Sequence, residues 1–79
     1  MTTTLEKVKE GMSAVVKQVH GGHKVRQRLG GLGIHPDDSL KVLRTGFLGG
    51  PVLIQIHGTE VGIGHGMAEK IEVEVMEWG

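Results

Sequence analysis

The chain has 79 residues, of which 38% are hydrophobic and 23% are charged, and its net charge at pH 7 is zero. This length predicts one domain, residues 1–79, close to the lower size limit for a core that folds unaided. The chain has no cysteine, which excludes disulfides and thiolate metal sites. The balanced charge gives the whole chain no attraction for nucleic acid, and no apolar run approaches the ~20 residues that span a bilayer.

The charges are unevenly distributed along the chain. Residues 1–44 hold eight basic and four acidic side chains, whereas the remainder holds one basic and five acidic side chains. The N-terminal segment MTTTLEKVKEG also lacks the apolar stretch of a signal peptide. We therefore expect a cytoplasmic protein whose basic residues lie mainly in its first half.

The N-terminal residues predict a helical turn followed by a strand. The sequence Thr3-Thr4-Leu5-Glu6 fits a capping box, and Leu5 and Val8 lie on one side of the turn that it would begin. The segment MSAVVKQV, residues 12–19, then predicts the first strand. Its alternation separates two apolar sets: Met12, Ala14 and Val16 on one face, and Val15 and Val19 on the other.

Residues 23–32 predict the one longer helix. Its apolar residues are spaced four and then three positions apart, as on one narrow stripe: Val25, Leu29 and Leu32. Gly33 stands where the chain leaves a helix through a left-handed residue, and Ile34 is the apolar residue that closes such a cap. Pro36 cannot continue a helix and begins a turn that Asp37-Asp38 completes.

The second half of the chain predicts strands separated by turns. The strand segments are residues 39–44, the stretch PVLIQIHG, residues 60–64 and residues 71–75. Gly58-Thr59 fits a two-residue hairpin turn, and residues 64–70 fit one helical turn. About five short strands can close into a small barrel, which protects their edges, and the helix between the first two strands would cover an open end. The predicted fold class is therefore mainly β.

Several short motifs occur together in one order. They are Arg28-Leu29-x-x-Leu32-Gly33-Ile34-x-Pro36, Leu40-x-Val42, Gly50-Pro51-Val52, Gly58 at a hairpin, and Ala68-x-x-Ile71-x-Val73. This ordered set covers nearly the whole chain and resembles the ferrous iron transport protein A (FeoA) family. The chain departs from the family pattern at Asp37, where Gly usually follows the Pro, and at Gly30-Gly31 and Gly64-x-Gly66, which replace residues better suited to a helix.

The resemblance implies an SH3-like barrel and an accessory role in ferrous iron uptake. The implied partner is FeoB, a membrane transporter with a cytoplasmic GTPase domain, so that contact with the membrane would be through the partner only. Two alternatives stay open: an SH3-like module of metal-dependent regulation, as in iron-dependent repressors, and a small nucleic-acid-binding barrel. The chain shows no helix-turn-helix pattern for the first, and with one Phe, one Trp and no Tyr it lacks the stacking aromatics of the second. Weak self-association is also left open.

The sequence gives no pattern for a catalytic, cofactor or metal site, and we expect a protein that is not an enzyme. Ser13 and Ser39 have no base within a motif, and the glycines form no phosphate-binding loop. Five histidines invite a metal hypothesis, but none stands in HxxxH or in a dense cluster with carboxylates, so we interpret them as surface or turn residues: His20, His23, His35, His57 and His65.

Two features remain as candidates for binding a partner. Phe47 and Leu48 stand in a glycine-rich loop, where apolar side chains are either tucked into the core or offered to another protein. Lys24 and Arg28 form a basic flank of the predicted helix, which favours electrostatic steering over readout of nucleic acid. Trp78, near the end of the chain, would either cover a sheet edge or fray.

Overall fold

The structure, a computed structural model, describes residues 1–76 apart from the side chain of Phe47. The six strands are β1 (Thr2–Thr4), β2 (Ser13–Val19), β3 (Ser39–Arg44), β4 (Val52–Ile56), β5 (Thr59–Ile63) and β6 (Ile71–Val75). The two helices are α1 (His23–Gly31) and α2 (His65–Ala68), and two 3₁₀ turns cover Leu5–Lys7 and Phe47–Gly49. Within residues 1–76, no helix is long and apolar enough to cross a membrane.

The strands form one antiparallel sheet in the order β1-β6-β2-β3-β4-β5. Buried residues from β2 to β6 meet in a single cluster that α1 and the first 3₁₀ turn complete. Because one sheet can bury its apolar side chains in one cluster only by curving around them, the sheet is coiled as in a small barrel. The described strands leave β1 and β5 as the ends of the ladder, so hydrogen bonding does not close the sheet.

A bulge in β2 determines which of its side chains face the core. The register against β6 shifts between Val16 and Gln18, so that one extra residue is inserted in β2. Ala14, Val16 and Val19 are consequently all buried. The prediction that Val19 lies on the face opposite Ala14 and Val16 was wrong, because strict alternation holds only where the ladder is regular.

The N-terminal residues correct the predicted order of elements. Thr2–Thr4 pair with β6 as a strand, with Thr3 opposite Val73, where a capping box had been predicted. The Thr4 hydroxyl donates to the carboxylate of Glu6 and caps no backbone N–H. The β-branched threonines suit an extended edge strand, and α1 therefore follows the second strand of six, not the first of five. The predicted mainly β class is confirmed.

The helix α1 ends as its sequence predicts. Gly33 has a φ of 84°, and its N–H donates to the carbonyl of Gly30 at 3.0 Å. The N–H of Ile34 donates to the carbonyl of Leu29, also at 3.0 Å, which completes a Schellman motif. Leu29 and Ile34 are both buried, so the polar cap and the apolar contact that accompanies it secure the helix to the sheet. Leu32, in contrast, is 41% exposed, and its predicted place in the buried stripe was wrong.

The β4–β5 hairpin turns one residue earlier than predicted. Ile56 pairs with Thr59, so the two turn residues are His57 and Gly58. Their φ values are 52° and 75°, as a type I′ turn requires at both central positions. Thr59 therefore belongs to β5, and His57 takes a left-handed conformation that Asn or Gly would adopt with less strain.

Leu29 and Leu32 offer a matched pair of truncations. We expect Leu29→Ala to lower the free energy of unfolding by about 2–5 kcal/mol, because a fully buried leucine leaves a cavity. Leu32→Ala, three positions along the same helix end, should cost less than about 1 kcal/mol because much of that side chain already contacts water. Urea unfolding followed by circular dichroism measures both values. Equal losses would contradict the assignment of Leu29 as the residue that holds α1 to the core.

Candidate functional site

The loop between β3 and β4 presents an apolar side chain to solvent. Leu48 is 89% exposed, the largest exposure among the large hydrophobic residues that the structure describes. Its backbone is left-handed, with a φ of 52° and a ψ of 45°, and Gly49 continues with a φ of 78°. A leucine in this region is uncommon and carries local strain. Core packing does not explain Leu48, because its side chain points away from the core.

Two contacts fix the shape of this loop. Gly46 and Gly50 approach so closely that a Cβ on Gly46 would collide with the Gly50 carbonyl. The backbone N–H of Thr45 donates to Oε1 of Glu10 at 3.1 Å, which ties the loop to the turn before β2. The loop is therefore a tight, tethered structure that holds Leu48 at its tip.

The predicted basic flank lies on α1. Lys24 and Arg28 are both exposed and stand four positions apart, which places them on one side of the helix. Within residues 1–76, no side-chain hydrogen bond or ion pair joins either residue to the Leu48 loop. The structure thus presents an apolar loop tip and a basic helix side as two separate features. The side chain of Phe47 lies outside what is described, and so does Trp78.

Asp38 connects two turns of the chain. Its Oδ2 accepts the backbone N–H of His35 at 2.9 Å and lies 3.6 Å from His35 Nδ1. Its Oδ1 lies 3.3 Å from Nε2 of His57, in the β4–β5 turn. The backbone N–H of His35, followed by the side chain of His57, holds the pKa of Asp38 below its usual value, because both contacts favour the carboxylate. Asp38 therefore links the end of α1 to the distal hairpin.

Other histidines also pair with single carboxylates. His20 lies 2.9 Å from Glu72, and His65 lies 3.0 Å from Glu69. His23 is exposed at the first position of α1. In the described part of the chain, no three or more histidine or carboxylate side chains converge as metal ligands would.

One groove brings serine and histidine side chains together. Ser13, Ser39 and His57 line a depression of about 450 Å³ between β2, β3 and the β4–β5 turn. Among the described residues, neither serine hydroxyl forms a hydrogen bond with His57, and His57 Nε2 already faces Asp38. A serine nucleophile requires a base within hydrogen-bonding distance, and this arrangement does not supply one.

Comparison with known proteins assigns the fold. Residues 3–75 match the family described as "FeoA domain". The chain is 42% identical over 71 residues to the "Putative Fe(2+) transport protein A" of Methanocaldococcus jannaschii. The aligned region covers 90% of this chain and 84% of that protein. It also superposes on the FeoA protein of Chlorobium tepidum with a TM-score of 0.85 and 33% identity, over 95% of this chain and 71% of that one.

Two further solved structures have the same fold but differ in sequence identity and in the share of their length that matches. A crystal structure of an "Iron Uptake Regulatory Protein (FeoA)" matches with a TM-score of 0.87 and 30% identity, over 96% of this chain and 99% of that one. A manganese-dependent transcriptional repressor matches equally well in shape, with a TM-score of 0.87, but at 21% identity and over only 42% of its length. The repressor shows a shared fold alone, whereas the FeoA structures confirm the FeoA-like, SH3-like architecture that the motifs implied.

The sequence missed two residues that organise this region. Glu10 is 35 positions from Thr45, and no motif links them. Asp38 was recognised only as a turn residue, although an Asp three residues after His35 is a common way to accept a backbone N–H. The contact between Asp38 and His57 depends on where the β4–β5 hairpin lies in the fold, so it could not be predicted from the spacing of the two residues in the sequence.

Gly46→Ala tests the shape of the loop. We expect the added methyl group to lower the free energy of unfolding by about 1–3 kcal/mol, because the Gly50 carbonyl occupies its space. Gly62→Ala is the matched control, since nothing lies within 4 Å of a Cβ there, and it should change stability by less than about 0.5 kcal/mol. Urea unfolding measures both, and equal effects would contradict the close approach.

Acid titration tests Asp38. Because its pKa is lowered in the folded protein, its stabilising contribution is complete above the unfolded pKa and is lost as the pH falls through the folded pKa. Asp38→Asn should therefore be less stable than the wild type at pH 7, and the difference should shrink below about pH 4. Asp37→Asn is the control, since Asn tolerates the left-handed backbone of that exposed position. Thermal melting from pH 7 to pH 2.5 measures this difference in stability. If the difference between Asp38→Asn and the wild type stayed constant over this range, the Asp38 carboxylate would not be stabilised by interactions in the folded protein.

Proposed function

This chain belongs to the FeoA family, and we propose that it is a cytoplasmic accessory protein of ferrous iron uptake that docks on a FeoB-type membrane transporter. The name of the archaeal relative supports the link to ferrous iron transport. Docking on the transporter is our inference from the family resemblance and from the surfaces that the chain exposes. In this proposal the chain contributes binding, and the transporter moves the iron.

The single observation that carries the proposal is the presentation of Leu48. An exposed leucine on a left-handed backbone is unfavourable in isolation, and the surrounding loop is built to hold it there. Burial of such a side chain against a partner removes apolar surface from water, which is the main favourable contribution in protein association. We propose Leu48 as the central contact and Phe47, identified from sequence alone, as its neighbour.

The basic side of α1 has a different role in the proposal. Lys24 and Arg28 are exposed, and exposed charges contribute little to affinity once they are screened by salt. They do accelerate encounter with an acidic surface and select its orientation. We therefore propose that this side of α1 orients the chain towards an acidic region of the transporter while Leu48 provides the apolar contact.

Leu48→Ser should weaken binding to the transporter at every salt concentration. The expected loss is about tenfold or more in Kd, because the leucine would no longer bury apolar surface in the complex. Leu32→Ser is the matched control, since Leu32 is the other leucine with high exposure among the described residues. Titrations against the cytoplasmic domain of FeoB, and against the full transporter in detergent, measure the effect. If Leu48→Ser binds as the wild type does, the loop is not the contact.

Reversal of the basic flank should change association rates instead. The double variant Lys24→Glu, Arg28→Glu should associate more slowly, chiefly at low salt, where screening is weak. The control Lys41→Glu, Lys70→Glu makes the same change in net charge at exposed positions outside α1 and should have a smaller effect. Stopped-flow binding at two salt concentrations separates them. Binding of the wild type to RNA or DNA but to neither form of the transporter would overturn the proposed function itself.

A further inference from the structure

An apolar groove lies beside the N-terminal strand. It has a volume of about 510 Å³ and is lined by Met1, Lys7, Val8, Lys9, Met12, Val75 and Met76. Met1 and Met76 are 75% and 47% exposed, so this groove holds two of the four large hydrophobic side chains that are exposed in the described residues. Core packing leaves the side chains of Met1 and Met76 largely in contact with water.

Three of the seven residues that line the groove are methionines. The chain has four methionines, and Met1, Met12 and Met76 lie here, while Met67 packs against the core elsewhere. A methionine side chain is unbranched and polarizable, and it adjusts to apolar groups of different shape. A surface of this kind suits the side chains of a flexible or helical protein segment better than one rigid ligand. We refer to it as the methionine groove.

The charged side chains that line the methionine groove have one sign. Lys7 and Lys9 lie in its lining, both are exposed, and neither forms an ion pair with a described residue. Three carboxylates lie close to this lining, either next to it in the chain or on β6. Each accepts a hydrogen bond from another group of the protein: Glu6, Glu10 and Glu74. Among residues 1–76, neither ammonium group has a carboxylate partner, and a complementary occupant would supply carboxylates.

We propose that the methionine groove binds an amphipathic segment of another protein, in which apolar side chains are flanked by Asp or Glu. The apolar side chains would fill the space between the methionines, and the carboxylates would pair with Lys7 and Lys9. Apolar burial supplies the affinity and the two lysines select the sign of the charge. This surface is distinct from the Leu48 loop, and the inference does not depend on the identity of the transporter.

The test uses two synthetic helical peptides with the same leucine positions. The polar positions carry Glu in one peptide and Lys in the other, and each is titrated into the full chain labelled with ¹³C in the methionine methyl groups. The Glu peptide should shift the signals of Met12 and Met76 and leave that of Met67 unchanged. The Lys peptide should bind at least about threefold more weakly, because it loses two exposed ion pairs and gains repulsion.

Charge variants provide the matched control. Lys7→Gln with Lys9→Gln should weaken binding of the Glu peptide by about three- to tenfold, whereas Lys70→Gln should not change it. The proposal is overturned if Met67 responds as strongly as Met12, if both peptides bind equally, or if neither causes a shift at millimolar concentration. It is also overturned if phosphatidylcholine or phosphatidylglycerol vesicles shift the groove signals more strongly than the Glu peptide does, because the occupant would then be a lipid. The same shifts in the chain alone, on raising its concentration, would overturn it too, because the occupant would then be a second copy.

Discussion

The structure depends on one small apolar core that a single sheet must enclose. Sixteen buried hydrophobic residues from nearly every element form this core, and no polar residue is buried with them in the described part of the chain. Because the sheet is coiled, its strands must bend, and the register shifts in β2 and β3 provide the bends. The Schellman motif at the end of α1 then places Leu29 and Ile34 on the same core.

The core uses most of the aliphatic side chains, which distinguishes them from the few that are exposed. Nearly every aliphatic side chain with a strong preference for burial is used by the core, so apolar residues that remain in water stand out. Leu48 and the methionine groove are the clearest of these. At Leu48, the close approach of Gly46 and Gly50 maintains the shape of the loop that exposes the side chain. The tether from Glu10 to Thr45 runs between the segment that contains Lys9 and Met12 and the loop that contains Leu48. The candidate binding surfaces of this domain are therefore the apolar side chains that the core does not use.

Local chemistry made part of this fold predictable. Gly33 and Ile34 identified the end of α1 because a left-handed residue followed by an apolar one has a specific hydrogen-bonding pattern. The strand alternation in Ile71–Val75 was also readable, since that strand is half-buried and regular. The family resemblance supplied the architecture, which periodicity alone could only narrow to a small barrel.

The structural features that could not be predicted from sequence depend on contacts between residues far apart in the chain. The strand Thr2–Thr4 forms because β6 offers a free edge 70 positions away, and threonine is compatible with both a cap and a strand. The bulge that turns Val19 inward is determined by pairing with β6, and the exposure of Leu32 follows from where α1 stops. The loop with Phe47 and Leu48 was selected as a candidate, but residue spacing reveals neither the left-handed backbone of Leu48 nor the close approach of Gly46 and Gly50.

The central claim is that the tip of the β3–β4 loop contacts the ferrous iron transporter. Site-specific photo-crosslinking in cells that contain both proteins tests this claim most directly, with a benzophenone side chain at position 48 and, as a control, at the exposed position 55 on β4. The account predicts a covalent adduct with the transporter from position 48 and little or none from position 55. Adducts of equal yield from both positions, or an adduct from position 55 alone, would contradict it.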